Sequence, residues 1–90
     1  MSSCSRTIEI TNKRGLHARA SAKFVNVAAG LTAKVEVEKD GSRVVGTSIM
    51  GLMMLGAAMG DSITIICEGD GAEAALAELA ELVETKFGEE

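Results

Sequence analysis

The residues best suited to chemistry lie around His17, the single histidine of the chain. Lys13 and Arg14 precede it, Arg19 follows shortly after, and an alanine-rich stretch typical of a helix begins at the same point. The first turn of a helix carries unpaired backbone N–H groups and positive partial charge, which bind phosphate and other anions. The same field favours a neutral, nucleophilic imidazole, and the Arg19 guanidinium can pair with two phosphoryl oxygens at once. The segment therefore predicts that His17 accepts an anionic group.

The rest of the sequence offers few other reactive centres. Cys4 and Cys67 are far apart and, with one histidine, make no familiar metal-ligand spacing; we expect Cys67 in the core and Cys4 at the surface. There is no Ser-His-Asp arrangement that we can defend and no glycine-rich nucleotide loop. We therefore expect no metal, no cofactor, and an intermediate in group transfer rather than a stand-alone enzyme. The spacing alone leaves open a second interpretation of His17, as a surface histidine among ordinary solvated charges.

Composition limits the class of protein and its partners. The 90 residues suffice for one domain, residues 1–90, with residues 1–5 and 88–90 expected to be loose. The net charge of -4 and the presence of only two Phe and no Trp or Tyr argue against binding to nucleic acid. No run is long enough for insertion into a membrane, and the N-terminus lacks the apolar run of a secretory signal. We therefore expect a cytoplasmic protein with reduced cysteines.

Hydrophobic periodicity predicts elements in the order βαββαβα. An Asp40-Gly41 turn joins the second and third strands as a hairpin, and Asp70 with Glu73 resembles a capping box before a last helix whose apolar stripe runs to Phe87. Because the hairpin favours antiparallel pairing, we expect an α+β fold in which the two long helices cover one face of a four-stranded antiparallel sheet. The strands are expected near residues 7–11, 33–38, 43–46 and 62–68, and the first two helices near residues 17–29 and 48–55.

Two segments resemble motifs of one known family. The sequence Gly15-Leu16-His17-Ala18-Arg19 closely resembles the active-site motif of HPr, the histidine-containing phosphocarrier of the bacterial phosphoenolpyruvate-dependent phosphotransferase system. The segment from Ser48 to Leu55 is similar to the regulatory-serine segment of the same family, and the predicted order of elements is the family's order. The resemblance spans nearly the whole chain and implies an HPr-like open-faced β-sandwich.

The resemblance also implies a mechanism. In the family, Enzyme I takes a phosphoryl group from phosphoenolpyruvate and passes it to the active-site histidine, here Nδ1 of His17. The resulting phosphohistidine donates the group to Enzyme IIA-type domains, for example in sugar transport. The role implied for this chain is that of a monomeric phosphocarrier in which Arg19 helps to hold the phosphoryl group.

Two positions depart from the family pattern. Ala20 stands where the family usually has proline, which suits the first turn of a helix because its missing N–H needs no partner there. Arg14 stands where a small polar residue is frequent, and it adds positive charge beside the site. These differences are compatible with a carrier in sugar uptake and also with a regulatory paralogue linked to nitrogen or general metabolism.

Ser48 and the apolar segment after it form a second candidate site. The residues alone predict that Ser48 is a plain N-cap, whereas the resemblance adds regulatory phosphorylation by an HPr kinase/phosphorylase. We expect about half of the apolar residues of this segment in the core, with Ile49, Met50 and Met53 at the surface for docking Enzyme I and acceptor domains. An interaction module that uses only this surface, without phosphoryl transfer, is the remaining alternative.

Overall fold

The predicted elements are present in the predicted order. A computed structural model describes residues 3–89, in which four strands and three helices follow one another as βαββαβα, so the predicted α+β class is confirmed. The strands are β1 (Ser3–Glu9), β2 (Lys34–Lys39), β3 (Ser42–Val45) and β4 (Ser62–Glu68). The helices are α1 (Ala18–Ala29), α2 (Ile49–Met54) and α3 (Ala72–Glu84), and α3 is followed by a short C-terminal turn (Lys86–Gly88).

The four strands form one antiparallel sheet in the order β1-β4-β2-β3. β4 is therefore a central strand, with β1 on one side and β2 on the other, and β3 pairs with β2 across the hairpin. Alternate residues of β2 and β4 are buried, because the side chains of a strand point to the two faces in turn. The buried residues of these strands are Val35, Val37, Ile63, Ile65 and Cys67.

The helices cover the buried face of the sheet. α3 packs on β1 and β4, and α1 packs against both α3 and α2. Phe24 and Phe87 are buried in the same cluster as the apolar residues of the sheet, so both aromatic side chains belong to the core. Within residues 3–89, no helix has the length and apolar character needed to cross a lipid bilayer.

The first strand differs in position from the prediction. It begins at Ser3, where a loose end is expected, and it ends at Glu9. All of its residues pair with β4, from Ser3 opposite Glu68 to Glu9 opposite Ser62. Backbone pairing with an existing strand thus orders residues 3–5, although their mostly polar side chains give no clear strand pattern. Residues 1, 2 and 90, which are also expected to be loose, lie outside the described residues.

The end of the chain also differs from the prediction. α3 ends at Glu84, so Phe87 does not continue its apolar stripe but lies in the C-terminal turn, whose three residues all have positive φ. Non-glycine residues adopt this left-handed conformation at a cost. Two contacts offset it, because the Phe87 side chain is buried in the core and Lys23 Nζ donates to the Phe87 carbonyl oxygen at 2.8 Å.

The start of α3 is not capped as predicted. Gly71 is the N-cap, with φ 73°, and no side chain among residues 3–89 caps the helix. Asp70 lies one position earlier, and its carbonyl oxygen accepts a hydrogen bond from Thr32 Oγ1 at 3.4 Å. The capping-box prediction for Asp70 and Glu73 is therefore wrong, because the chain enters α3 through a left-handed glycine rather than an extended acidic residue.

Gly15 fixes the loop between β1 and α1. Its φ is 63°, and an added Cβ would lie 2.9 Å from Ala58 Cα and closer still to the carbonyl oxygen of Ala57. The next residue, Leu16, donates its N–H to the same Ala57 oxygen at 2.9 Å. The loop before α1 and the loop after α2 therefore touch through their backbones, and a residue without a side chain is needed between them.

Gly15→Ala is expected to lower the free energy of unfolding by roughly 3 kcal/mol, from the combined effects of a left-handed alanine and overpacking against backbone atoms. Gly56→Ala is the matched control, because Gly56 has a similar φ of 67° with open space where a Cβ would be. The control should lose only about 1–2 kcal/mol. Urea denaturation measures both losses, and equal values would contradict the close packing at Gly15.

Candidate functional site

The loop before His17 is held by buried hydrogen bonds. The Asn12 side chain donates from Nδ2 to the carbonyl oxygen of Gly15 at 2.9 Å, and Ser21 donates from Oγ to the carbonyl oxygen of Leu16 at 3.2 Å. Asn12 and Ser21 are both buried, so these two donor atoms are paired away from water. Because the loop carbonyls have fixed partners, the backbone reaches His17 in one defined arrangement.

His17 is the N-cap of α1, at the helix start where the sequence places it. Its backbone is extended, and its carbonyl oxygen accepts the Ser21 N–H at 2.9 Å as the first bond of the helix. Ring nitrogen Nδ1 accepts the Arg19 N–H at 3.3 Å, in the position that a serine or aspartate oxygen usually takes at a helix start. Nδ1 therefore faces the unpaired amides and the positive end of the α1 dipole.

The other ring nitrogen of His17 contacts an acidic residue from the far end of the chain. Nε2 lies 2.9 Å from Oε2 of Glu89. Because Nδ1 accepts a backbone N–H, the neutral ring carries its proton on Nε2, and this proton is donated to the carboxylate. The His17 side chain is only 14% exposed, less open than an imidazole on a polar loop is expected to be. Glu89 therefore covers the Nε2 edge of the ring, whereas Nδ1 faces the start of α1.

Glu89 is held by the C-terminal turn and by Asn12. Its Oε1 accepts from Asn12 Nδ2 at 3.4 Å, and the turn before it is fixed by the bond from Lys23 Nζ to the Phe87 carbonyl oxygen. Burial alone would raise the pKa of Glu89, but the hydrogen bond and charge of His17, with smaller contributions from Asn12 and Lys23, lower this pKa below its ordinary value of 4.5. The carboxylate is therefore ionised at neutral pH and can compensate positive charge on the imidazole.

Nothing local in the sequence indicates that Glu89 belongs to the site. It is 72 positions from His17 and stands in a segment that is expected to be loose. The left-handed turn that brings it back depends on the packing of Phe87, which is a tertiary contact. Although a loose end is expected there, the backbone N–H groups of Gly88 and Glu89 donate to the carbonyl oxygens of Thr85 and Lys86.

The predicted cationic side chains are exposed around the site. The backbone amide of Arg19 contacts His17, but its guanidinium has no hydrogen bond or ion pair with any residue that the structure describes. Arg14 is exposed in the preceding turn, and Ala20 is buried in the first turn of α1. The structure thus leaves the Arg19 guanidinium able to approach a group on Nδ1 without fixing it there. Between residues 3 and 89, no cluster of His, Cys, Asp or Glu is arranged to hold a metal ion.

Ser48 caps α2 as the sequence predicts. Its Oγ accepts the Gly51 N–H at 3.0 Å, and the residue itself is half-buried. This bond satisfies one of the unpaired amides at the helix start. The hydroxyl group is therefore already engaged in the folded protein.

The apolar segment after Ser48 exposes more of its residues than expected. Leu52 and Leu55 are buried, whereas the other apolar residues of the segment are exposed, including Met54 at 77%. These exposed residues line one shallow apolar groove, and we call them the methionine patch: Ile49, Met50, Met53 and Met54. The helix that carries the patch, α2, packs against α1, and the loops next to the two helices are joined by the hydrogen bond from the Leu16 N–H to the Ala57 carbonyl oxygen.

Known proteins share both the sequence and the geometry of this chain. Residues 4–85 match the family model described as the PTS HPr component phosphorylation site. The phosphocarrier protein HPr of Neisseria meningitidis serogroup A is 49% identical over 84 residues, which cover 93% of this chain and 94% of that protein. The HPr-like protein Crh of Bacillus subtilis, also called the catabolite repression HPr, is 43% identical over 77 residues, covering 86% and 91%. The crystal structure of HPr from Thermoanaerobacter tengcongensis superposes with a TM-score of 0.92 at 47% identity, covering 97% and 98%.

Replacing Glu89 by glutamine is expected to remove a pH-dependent part of the stability. Because the pKa of Glu89 is lowered in the folded protein, its carboxylate stabilises the fold above the ordinary pKa of 4.5, and this contribution is lost as the pH falls through the lower folded value. The unchanged protein should therefore be more stable than Glu89→Gln at pH 7, and the two should converge as the pH falls below 4.5.

Urea denaturation across this pH range measures the difference in free energy of unfolding. Glu78→Gln, at an exposed position of α3, is the control and should show no such convergence. A difference between Glu89→Gln and the unchanged protein that stays constant with pH would contradict the contact between Glu89 and His17.

Proposed function

We propose, since the chain belongs to the PTS HPr family of phosphocarriers, that it accepts a phosphoryl group on Nδ1 of His17 from phosphorylated Enzyme I. It then donates this group to Enzyme IIA-type domains. The observation that carries the proposal is the contact of Nδ1 with the Arg19 N–H at 3.3 Å, at the positive end of α1. We further infer that the carrier acts as a monomer in the cytoplasm, where Enzyme I takes the group from phosphoenolpyruvate.

The transfer exchanges one phosphorus–nitrogen bond for another. The Nδ1 lone pair of His17 attacks the phosphorus atom carried by the Enzyme I histidine, and the old bond breaks with its electron pair left on that histidine. The proton on Nε2 of His17 stays in place, so the phosphorylated ring becomes positively charged. The Glu89 carboxylate, 2.9 Å from Nε2, compensates this charge while the group is carried. Donation to an acceptor histidine is the same step in reverse.

The start of α1 supports the phosphoryl group once it is bound. For the attack, Nδ1 gives up its hydrogen bond from the Arg19 N–H, and this amide becomes available to a phosphoryl oxygen. The exposed Arg19 guanidinium supplies a second, charge-assisted set of donors. Because these donors lie at the surface, they hold the group without enclosing it, and the next partner can remove it.

Ser48 is proposed as a regulatory phosphorylation site for an HPr kinase/phosphorylase. A phosphate on its Oγ would remain at the start of α2, where negative charge is favourable, so the helix can persist. The modification adds about two negative charges beside Ile49, the first residue of the methionine patch. Such charges oppose the docking of an acidic partner surface on the patch.

The methionine patch is proposed as the docking surface for Enzyme I and the acceptor domains. Its residues are apolar and exposed, and burial against a partner removes that area from water. Unbranched methionine side chains adapt to surfaces of different shape, which suits a carrier that must bind several partners in turn. A partner seated on α2 also lies next to the loop before His17, through the contact between Leu16 and Ala57.

A regulatory carrier is the second candidate function. It is favoured by the 43% identity to Crh, which is called the catabolite repression HPr, and it is compatible with the departures at Ala20 and Arg14. The acceptor domains encoded with the chain distinguish the two functions, since sugar-specific membrane permeases indicate transport and their absence indicates regulation.

Incubation with Enzyme I, Mg²⁺ and phosphoenolpyruvate is expected to place an acid-labile, alkali-stable phosphate on His17. His17→Ala should abolish this label, and a label that survives the change would overturn the proposal. Arg19→Ala should slow labelling about tenfold or more, because a hydrogen bond between charged groups contributes about 1.5–3 kcal/mol. Arg14→Ala is the matched control, an exposed arginine in the turn before α1, and should change the rate by at most about threefold.

Met53→Glu is expected to reduce kcat/KM for Enzyme I-dependent labelling about tenfold, because it places a charge in the apolar contact area. The rate at which the phosphorylated variant loses its phosphate to water should stay unchanged, since His17 and Glu89 are not altered. Met59→Glu is the control, because Met59 is 58% exposed but lies outside the methionine patch. If the chain is instead a non-catalytic interaction module, Met53→Glu abolishes its function in the cell while His17→Ala leaves that function intact.

A further inference from the structure

Two cysteines outside the phosphoryl site lie opposite each other in the sheet. Cys4 of β1 and Cys67 of β4 are direct partners in the antiparallel register. Direct partners point to the same face of a sheet, and their Cα atoms are about 4.5–5.5 Å apart. A disulfide bond requires Cα atoms about 4.4–6.8 Å apart. The backbone of the folded protein therefore already holds the two thiols at bridging range.

The two thiols differ in their access to solvent. Cys67 is completely buried, whereas Cys4 is partly buried and packs against the edge of the same core cluster. Burial raises the pKa of the Cys67 thiol, and the neighbouring Cys4 adds to this effect. Cys4 is therefore the thiol that meets a reagent first. The sequence predicts Cys4 as an exposed surface thiol, but in the structure it is partly buried and lies opposite Cys67.

We propose that Cys4 and Cys67 are a redox-sensitive pair, which a low-molecular-weight disulfide such as oxidised glutathione converts into an intramolecular bridge between β1 and β4. The Cys4 thiolate attacks one sulfur of the glutathione disulfide, which forms a mixed disulfide and releases one glutathione. Cys67 then loses its proton and attacks Cys4 Sγ, which releases the second glutathione. Two protein thiols are oxidised and one small disulfide is reduced to two thiols.

The bridge fixes an outer strand of the sheet. β1 has a single strand neighbour, β4, and α3 packs on it, so a covalent link to β4 adds to the non-covalent contacts that hold it. Cys4 lies near the start of β1, whereas the loop that leads to His17 begins after its last residue, Glu9. The bridge therefore stabilises the fold without altering the residues around the imidazole, and its formation is independent of phosphoryl transfer.

The test is incubation of the folded protein with oxidised glutathione, followed by thiol counting and intact-mass measurement under denaturing, non-reducing conditions. Both free thiols should disappear, and the mass should fall by two hydrogens instead of rising by an attached glutathione. The midpoint of thermal unfolding should rise by about 10 °C or more, since the bridge closes a long loop of the unfolded chain. A reductant should reverse all three changes.

A double variant with Cys4→Ser and Ser5→Cys is the matched control. Ser5 is opposite Ile66 and points to the other face of the sheet, so its thiol cannot reach Cys67. This variant should stop at the mixed disulfide and keep the original unfolding midpoint. The proposal is overturned if the unchanged protein retains two thiols, or if it keeps a glutathione adduct in place of the bridge.

Discussion

The imidazole of His17 is held by two hydrogen bonds that run in opposite directions. Nδ1 accepts a proton from the backbone of α1, and Nε2 donates one to the Glu89 carboxylate. A free imidazole exchanges its proton between the two nitrogens, so either atom can be the nucleophile. With both bonds in place, the lone pair is on the nitrogen at the positive end of the helix. The environment of the ring thus determines which of its two nitrogens carries the lone pair.

The loop before His17, the start of α1 and the C-terminal turn together form these two bonds. The loop before His17 is fixed by Asn12 and by the close approach of Gly15 to the loop after α2. The helix supplies its first amides, and the C-terminal turn supplies Glu89 after the burial of Phe87. Asn12 joins two of these parts, since its side chain donates both to the loop and to the Glu89 carboxylate. A core contact at the end of the chain therefore affects which ring nitrogen of His17 carries the proton.

Features that depend on a short stretch of sequence could be predicted, whereas contacts between residues far apart in the sequence could not. The N-cap positions of His17 and Ser48 follow from helix starts that short patterns indicate, and the order of the elements follows from periodicity. Glu89 could not be found in this way, because its position depends on a turn with two non-glycine residues at positive φ. The pairing of Cys4 with Cys67 depends on strand register, which no local pattern specifies in a segment of mostly polar residues.

The position of β4 in the sheet has a consequence for the synthesis of the protein. β4 is the last strand in the sequence, yet it lies between β1 and β2. A nascent chain that has emerged only as far as α2 can pair β2 with β3, but an isolated two-stranded hairpin is at best marginally stable in water. No larger sheet can form until residues 62–68 leave the ribosome. We therefore expect the domain to fold in one cooperative step late in translation, and more slowly than a helical protein of similar length.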